Sequence, residues 1–164
     1  MTLIPDAAVF QKNLAALPLA TYQAGETVLS AGSKTGLLLI LKAGAVAIFK
    51  DGIEVAKVTE PGAVFGELSA LLDQPHTADV RALETSRFHV ANADALLVQN
   101  SVALLYVAAV LARRLDAANR ALIELKNQIR VGQPRSAIDK TVAKIEGLLG
   151  SSGGTLTDAG HWTA

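Results

Sequence analysis

The sequence predicts an α+β fold in which an antiparallel sandwich or barrel of short strands is followed by helices. Between residues 21 and 90, short β-branched and leucine-rich runs alternate with glycines, which is typical of antiparallel strands joined by tight turns. After Val90 the apolar residues recur every three or four positions, as they do in α-helices. The chain of 164 residues is long enough for one well-packed domain and an appendage.

Six strands are predicted between residues 21 and 90, where glycines separate the apolar runs. They cover residues 27–29, 37–42, 45–50, 53–59, 77–82 and 85–90. The third and fourth are separated by Asp51-Gly52, a pair that suits a two-residue turn with positive φ at both positions. We therefore expect a β-hairpin here.

Helices are predicted on both sides of the strands. Apolar spacing indicates a short amphipathic helix over residues 6–17 and another over residues 93–99. A long helix is expected to start at Ser101, as its cap, and to run to about residue 129.

One apolar seam follows the whole long helix in steps of four and three residues. It consists of Leu104, Ala108, Leu111, Leu115, Ala118, Leu122, Leu125 and Ile129. Such a seam favours a parallel homodimer, as in a coiled coil. The alternative is that the seam packs on the barrel of its own chain.

Residues 1–130 are expected to form one domain with its long helix, and residues 131–164 a short helix and a flexible tail. Residues 136–149 have an amphipathic pattern, and Ser151-Ser152-Gly153-Gly154 is typical of a flexible linker. A helix-turn-helix reading head needs two helices and a supporting core. We therefore expect no attached DNA-reading domain.

Composition limits the partners and the chemistry. Lys+Arg and Asp+Glu number 15 each, so no net charge attracts nucleic acid, and the absence of cysteine removes disulfides, thiolate nucleophiles and cysteine-bound metals. The N-terminus lacks a signal-peptide pattern, and the longest apolar run, residues 102–112, is far shorter than the roughly 20 residues that span a bilayer. We expect a cytoplasmic protein that binds neither DNA nor membrane.

No catalytic motif is present. The chain has no GK[ST] phosphate loop, G-x-S-x-G elbow or H-E-x-x-H pair, and its three histidines, His76, His89 and His161, are scattered. We predict that the protein is no enzyme, holds no metal and requires no obligatory cofactor.

A short helix predicted over residues 66–72 interrupts the strands. It opens directly after Phe65 and ends before Pro75. Its first N–H groups have no partner inside the helix, so they can hold an anion such as a phosphate. The alternative is a plain helix that turns a corner of the barrel.

The run VFGELSALL at residues 64–72, followed by PHTA at 75–78, resembles the phosphate-binding cassette of the cyclic nucleotide-binding domain family. The family pattern is Phe-Gly-Glu-Leu-(Ala/Ser), then Pro-Arg-(Ser/Thr)-Ala at this spacing. The resemblance extends over about residues 17–126, and the long helix is most similar to that of catabolite activator and Fnr-type regulators. It implies a jelly-roll-like β-roll with a phosphate-cassette helix and a C-terminal dimerisation helix.

The resemblance also assigns ligand contacts for cyclic AMP or cyclic GMP. Glu67 would accept a hydrogen bond from the ribose 2′-hydroxyl, and the N–H groups of Leu68 and Ser69 would meet the cyclic phosphate. The implied ligand-binding residues are Phe65, Gly66, Glu67, Leu68, Ser69, His76, Thr77 and Ala78. Asn119 and Arg120 on the long helix are candidates for a base contact, although a solvated face explains them equally well.

The sequence departs from the family at His76, where the pattern has arginine. Arginine offers a permanent charge and a planar fork to two phosphate oxygens, whereas a histidine with a pKa of about 6.5 is mostly neutral at pH 7. The replacement is expected to weaken binding by about 10- to 100-fold.

Three hypotheses follow. The first is a sensor for cyclic AMP or cyclic GMP that passes its signal through the dimer helix to an unknown downstream protein. The second is a degenerate domain that acts as a dimeric protein-interaction scaffold without cyclic-nucleotide binding. The third is a sensor for another ligand, such as haem held by His76 or His89.

Overall fold

The computed structural model describes residues 7–150, which form five helices and eight strands. In chain order these are α1 (Ala7–Leu14), β1 (Leu19–Tyr22), β2 (Thr27–Leu29), β3 (Leu37–Ala43), β4 (Val46–Lys50), β5 (Ile53–Val58), β6 (Val64–Phe65), α2 (Glu67–Leu72), β7 (Asp79–Ala82), β8 (Ser86–Asn92), α3 (Ala93–Gln99), α4 (Ser101–Arg130) and α5 (Arg135–Gly150).

The strands form two antiparallel four-stranded sheets, which confirms the predicted β-roll. One sheet has the order β1-β8-β3-β6 and the other β2-β7-β4-β5. The inward-facing side chains of both sheets form one apolar core, in which Phe65 meets Phe88 edge to face at 5.9 Å between ring centroids. Phe65 therefore anchors the start of the cassette in the centre of the roll.

The predicted hairpin is present between β4 and β5. Asp51 and Gly52 both have positive φ, at 52° and 79°, as the two-residue turn requires. Two strands were not predicted, β1 and β6. The second of them has only two residues, too few to show a periodicity, and it exists because it pairs with Leu39 and Ile40 of β3.

A second apolar cluster covers the outer face of the first sheet. It contains side chains from α1, α3 and the first half of α4, including Phe10, Leu97 and Val107. Phe10 stacks on Tyr106 at 3.7 Å, and the Tyr106 hydroxyl donates to the carbonyl of Gly62 at 3.0 Å. This bond ties α4 to the loop that leads into β6.

The cap of the long helix lies one residue before the predicted cap, and Ser101 is the first residue of the helix. Asn100, not Ser101, caps α4, because its Oδ1 accepts the N–H of Ala103 at 3.0 Å. The helix then runs for 30 residues to Arg130.

Most of the predicted seam on α4 lies at the surface. Leu104, Leu115, Leu122 and Ile129 are 42%, 63%, 45% and 59% exposed, whereas Ala118 is buried. The alternative that the seam packs on its own barrel therefore does not hold for these four residues. The homodimer stays a prediction.

Helix α5 folds back along the second half of α4 and packs against β5. Nζ of Lys144 on α5 lies 3.6 Å from Oε2 of Glu124 on α4. Helix α5 also approaches β5 closely, because a Cβ added to Gly147 would lie only 3.0 Å from the carbonyl oxygen of Val55. Residues 135–150 are thus packed against the roll. The predicted flexible tail, residues 151–164, lies outside the described residues.

Among residues 7–150, no single helix is both long and apolar enough to cross a membrane. Helices α3 and α4 meet that test only when taken together, and they are bent by 105° relative to each other.

Candidate functional site

Gly66 shapes the start of the cassette. Its φ is 90°, and a Cβ at this position would collide with the carbonyl oxygen of Leu37. The first hydrogen bond within α2 runs from the N–H of Ala70 to the carbonyl of Gly66 at 3.1 Å. The N–H groups of residues 67–69 therefore precede the hydrogen-bonded part of the helix and have no carbonyl partner inside it.

A small cavity lies between this helix start and the segment that follows it. Its lining contains six of the eight predicted ligand-binding residues and two strand residues that were not predicted: Leu29, Gly66, Leu68, Ser69, His76, Thr77, Ala78 and Val80. The cavity volume is about 10 Å³, room for about one water molecule. The structure thus brings the two halves of the predicted cassette together around a narrow polar opening.

Ser69 and Thr77 each place a hydroxyl group at the cavity, but the two differ in whether they are free to bind a ligand. The hydroxyl of Ser69 is buried and donates to the carbonyl of Gln74 at 2.5 Å, so it closes the loop after α2. Thr77 is exposed, and its hydroxyl makes no hydrogen bond to any other residue of the described range. The Thr77 hydroxyl is therefore the one that can reach a ligand.

His76 is a buried and uncharged member of the cavity wall. Its side chain is 7% exposed, and its Nε2 lies 3.0 Å from the hydroxyl oxygen of Thr35. Burial lowers the pKa of His76 below its ordinary value. At pH 7 the cassette accordingly presents a neutral imidazole in place of the family's guanidinium.

Glu67 faces α4 and lies outside the lining of the cavity. The carboxylate is fully buried, and its Oε1 accepts a hydrogen bond from Nη1 of Arg114 at 2.9 Å. Burial raises the pKa of Glu67, and the guanidinium of Arg114 opposes that rise. Within the described residues, Oε2 of Glu67 and both Nε and Nη2 of Arg114 are sealed from solvent without a hydrogen-bond partner.

Arg114 is a functional candidate that sequence reasoning did not select. It lies on the buried side of a helix whose other inward residues are apolar, such as Val107 and Val110. The sequence feature that could have pointed to Arg114 is its spacing: it follows Val107 by seven residues and Val110 by four, so all three lie on the same face of the helix. Its partner on α2 could not be known without the tertiary structure.

The remaining predicted contacts lie away from the cavity. Phe65 belongs to the core of the roll. Asn119 is exposed on α4, five residues after Arg114, which turns it roughly 140° around the helix. Arg120 lies 3.0 Å from Asp116 on the same helix. The structure does not bring Asn119 and Arg120 to the cavity, and a base contact by either stays a prediction.

His89 lies in a different environment from His76. It is on β8, and burial, followed by the charge of Lys42, lowers its pKa. In the part of the chain that the structure describes, no three His, Cys, Asp or Glu side chains are placed to hold a metal ion. His161 lies outside that part.

Residues 19–98 match the family model described as the cyclic nucleotide-binding domain. This stretch of the chain, which contains the whole roll and the cassette, therefore belongs to that family. The family is one of regulatory ligand-binding domains.

Solved structures share the fold. The catabolite activator protein of Thermus thermophilus superposes with a TM-score of 0.58 at 21% identity, covering 84% of this chain and 82% of that chain. Cyclic AMP-bound PfPKA-R superposes with a TM-score of 0.54 at 18% identity, covering 82% of this chain and 44% of that chain. At these identities, the comparisons show that the folds are alike and nothing more.

A curated relative shares part of the sequence. Glutaminase 1 of Bradyrhizobium diazoefficiens is 43% identical over 63 residues, which are 38% of this chain. The matched stretch covers 10% of that protein.

Proposed function

We propose that this chain is a ligand-sensing regulatory module that binds cyclic AMP or cyclic GMP at the cavity beside α2. The observation that carries the proposal is the convergence of both cassette halves on one polar opening, where Gly66, Ser69, His76 and Thr77 meet. The family to which residues 19–98 belong supports the class of ligand. The proposal includes no catalytic step.

The available groups match the parts of a cyclic nucleotide. The N–H groups that precede Ala70 and the free hydroxyl of Thr77 would donate to the cyclic phosphate. Oε2 of Glu67 is a buried acceptor without a partner among residues 7–150, but it lies on the α4 side of the helix, so a bond from the ribose 2′-hydroxyl would require α2 to move. Because the cavity has only about 10 Å³, a phosphate oxygen would enter it and the sugar and base would remain outside.

Two polar contacts would carry the signal from the cassette to α4. One joins the Tyr106 hydroxyl to the carbonyl of Gly62, and the other joins Arg114 to Glu67. The two contacts lie on either side of β6 and the start of α2. A ligand that displaces α2 would therefore move Glu67 relative to Arg114 and so shift the position of the long helix.

The homodimer belongs to this proposal, and the exposed face of α4 supports it. Six large apolar side chains lie exposed along this helix: Leu104, Leu105, Leu115, Leu122, Ile123 and Ile129. An exposed apolar stripe of this length on one helix is typical of an interface. The partner we propose is the same helix of a second copy.

Replacing Leu115 and Leu122 together with glutamate tests this dimer. We expect the wild-type protein to sediment as a dimer and the double variant as a monomer, because two charges would be buried at the seam. Val98→Glu is the matched control, since Val98 is 84% exposed but lies on α3. A wild-type monomer, or an unchanged dimer in the double variant, would contradict the proposal.

Calorimetric titration with cyclic AMP and cyclic GMP tests ligand binding. We expect saturable binding of at least one of them. Binding of 5′-AMP, which has the base of cyclic AMP but a phosphate that is not closed into a ring, should be much weaker. His76→Arg should raise the affinity by about 10- to 100-fold, since it adds charge-assisted bonds to the phosphate. Flat titrations for both the wild type and His76→Arg would refute the binding proposal.

The second candidate is a dimeric scaffold that binds no cyclic nucleotide. The narrow cavity and the neutral His76, already bonded to Thr35, favour it. It predicts that the wild type gives no heat with either nucleotide while the dimer persists. Only the titration separates the two candidates, because both keep the same α4 contact.

A further inference from the structure

Residues 30–36, the segment between β2 and β3, are bonded to the second half of the cassette. The N–H of Gly32 donates to the carbonyl of His76 at 2.8 Å, and the N–H of His76 donates to the carbonyl of Ser33 at 2.8 Å. Because His76 belongs to the lining of the cavity, this segment lies directly beside the cavity wall.

Lys34 is the one cation of this segment, and both of its neighbours in sequence contact His76. The carbonyl of Ser33 accepts the N–H of His76, and Oγ1 of Thr35 lies 3.0 Å from Nε2 of the same ring. The α-carbon of Lys34 belongs to the same peptide unit as the carbonyl of Ser33, so it lies within about 6 Å of the backbone nitrogen of His76. From this position the flexible four-carbon side chain of Lys34 can bring its ammonium group to a phosphate at the cavity.

An exposed ion pair holds the side chain of Lys34. Its Nζ pairs with Oδ1 of Asp73, the residue that ends α2, and lies 3.3 Å from the carbonyl oxygen of Asp73. The two side chains are 49% and 90% exposed. Ion pairs that are this exposed contribute little to stability. An anionic ligand can therefore take Lys34 from Asp73 at small cost.

The neighbouring arginines are held by other contacts. Among the described residues, no lysine or arginine lines the cavity itself. Arg114 is bonded to the buried carboxylate of Glu67 on the α4 side of α2. Arg81 on β7 is exposed, and its guanidinium lies over the ring of Phe49, 5.0 Å from the ring centroid. Lys34 is therefore the cation beside the cassette that is best placed to turn toward a ligand.

We propose that Lys34 leaves Asp73 when a cyclic nucleotide binds and donates a charge-assisted hydrogen bond to the phosphate, where the family has an arginine at position 76. This proposal rests on the proposed function for the identity of the ligand. The two contacts of Lys34 exclude each other, so the carboxylate of Asp73 competes with the phosphate for one ammonium group. Lys34 thus strengthens binding, and Asp73 weakens it.

Calorimetric titration of Lys34→Met with cyclic AMP and cyclic GMP tests the contact. Methionine keeps an unbranched side chain but carries no charge, so the affinity for the nucleotide that the wild type binds should fall by about threefold to tenfold. Lys34→Arg should bind within about twofold of the wild type, because it keeps the charge. Lys57→Met is the matched control and should change nothing, because Lys57 forms a similarly exposed pair with Glu54 on β5.

Asp73→Asn separates a ligand contact from a structural role of the ion pair. Asparagine tolerates the left-handed backbone of this position, where φ is 51°. Since the substitution frees Lys34, we expect the affinity to rise by about twofold to fivefold. An ion pair that only stabilised the cassette would instead give weaker binding in both single variants. In Lys34→Met/Asp73→Asn the gain should disappear, because Asp73 acts through Lys34.

Three results would overturn the contact. They are equal affinities of the wild type and Lys34→Met, an unchanged or lower affinity of Asp73→Asn, and a gain from Asp73→Asn that persists in the double variant. Urea unfolding checks that each variant is folded, and Lys34→Gln takes the place of Lys34→Met should the latter fail to fold.

The outcomes for Lys34 and for the proposed function can be told apart. Binding by the wild type that does not respond to Lys34 would refute the contact and leave the function standing. Absence of binding in every variant, His76→Arg included, would refute the proposed function and the Lys34 contact with it.

Discussion

The two sides of α2 are built from different kinds of contact. Toward α4, Glu67 and Arg114 form an ion pair whose side chains are 0% and 10% exposed. Toward the opposite segment, the cavity is lined by neutral groups, with an uncharged His76 where the family has arginine. The charged contact to the long helix is present, whereas the cationic contact to the phosphate is absent.

In the proposed function, the strength of ligand binding and the transmission of a signal to α4 therefore depend on different contacts. A buried ion pair contributes little net stability but makes the position of each partner sensitive to the other, because an unpaired buried charge is costly. The cavity side gains no such charge, and its lining residues can bind only through neutral donors. The ion pair thus couples the positions of α2 and α4, whereas the proposed ligand site has no charged donor among its lining residues.

Breaking the ion pair should have the largest effect on stability. Arg114→Met leaves the Glu67 carboxylate buried without its cation, and we expect the free energy of unfolding in urea to fall by about 3–5 kcal/mol. Adding Glu67→Gln should recover much of this loss, since it removes the unpaired charge.

Arg120→Met is the matched control on the same helix. Its salt bridge to Asp116 is exposed, so the loss should be about 0.5 kcal/mol or less. Equal losses for Arg114→Met and Arg120→Met would show that burial does not distinguish the two pairs.

A side chain at Gly66 should have the next largest effect. Gly66→Ala adds the strain of a left-handed backbone, about 1–2 kcal/mol, and a collision with the carbonyl of Leu37, worth about 1–3 kcal/mol more. Gly25→Ala is the control, because Gly25 has a φ of 87° but open space around it. The difference in urea-unfolding free energy between the variants measures the collision, and no difference would contradict the close approach.

The pH dependence of stability should show the smallest effect. Burial lowers the pKa of His76 and of His89, so the unfolded chain takes up protons before the folded one as pH falls. The free energy of unfolding should therefore decrease from about pH 7 toward about pH 5.5. Glu67 acts in the opposite direction, because its pKa is raised.

Comparison with the double variant His76→Gln/His89→Gln isolates the histidine contribution. Its stability should decrease less than that of the wild type over the same pH interval. A parallel decrease in both proteins would assign the effect to other groups.

Much of the fold could be predicted because its elements are marked by local chemistry. The hairpin at Asp51-Gly52, helix α3 and the strand at residues 27–29 follow from turn residues and apolar spacing, which act within a few residues. Strand β6 was missed because tertiary pairing decides it: its two residues form a strand only beside β3. The cap at Asn100 was missed because Asn100 and Ser101 are both good caps, and only the geometry of the chain selects one.

The candidate site divides in the same way. Except for Leu29, the residues of the cavity lie between Gly66 and Val80, and the cassette pattern marks six of them. Thr35 and Arg114, in contrast, are 41 and 47 residues from His76 and Glu67 respectively. No local signal connects groups so far apart along the chain.

By itself the sequence determined six of the eight strands, the helix that opens at Gly66 and the apolar seam of α4, because backbone preference and side-chain periodicity are local properties. Only the tertiary structure decided that Glu67 pairs with Arg114, that Thr35 engages His76 and that α5 covers α4 rather than extending away. Those contacts depend on which surfaces fold against each other, and the separation of two residues in sequence does not fix the distance between them in space.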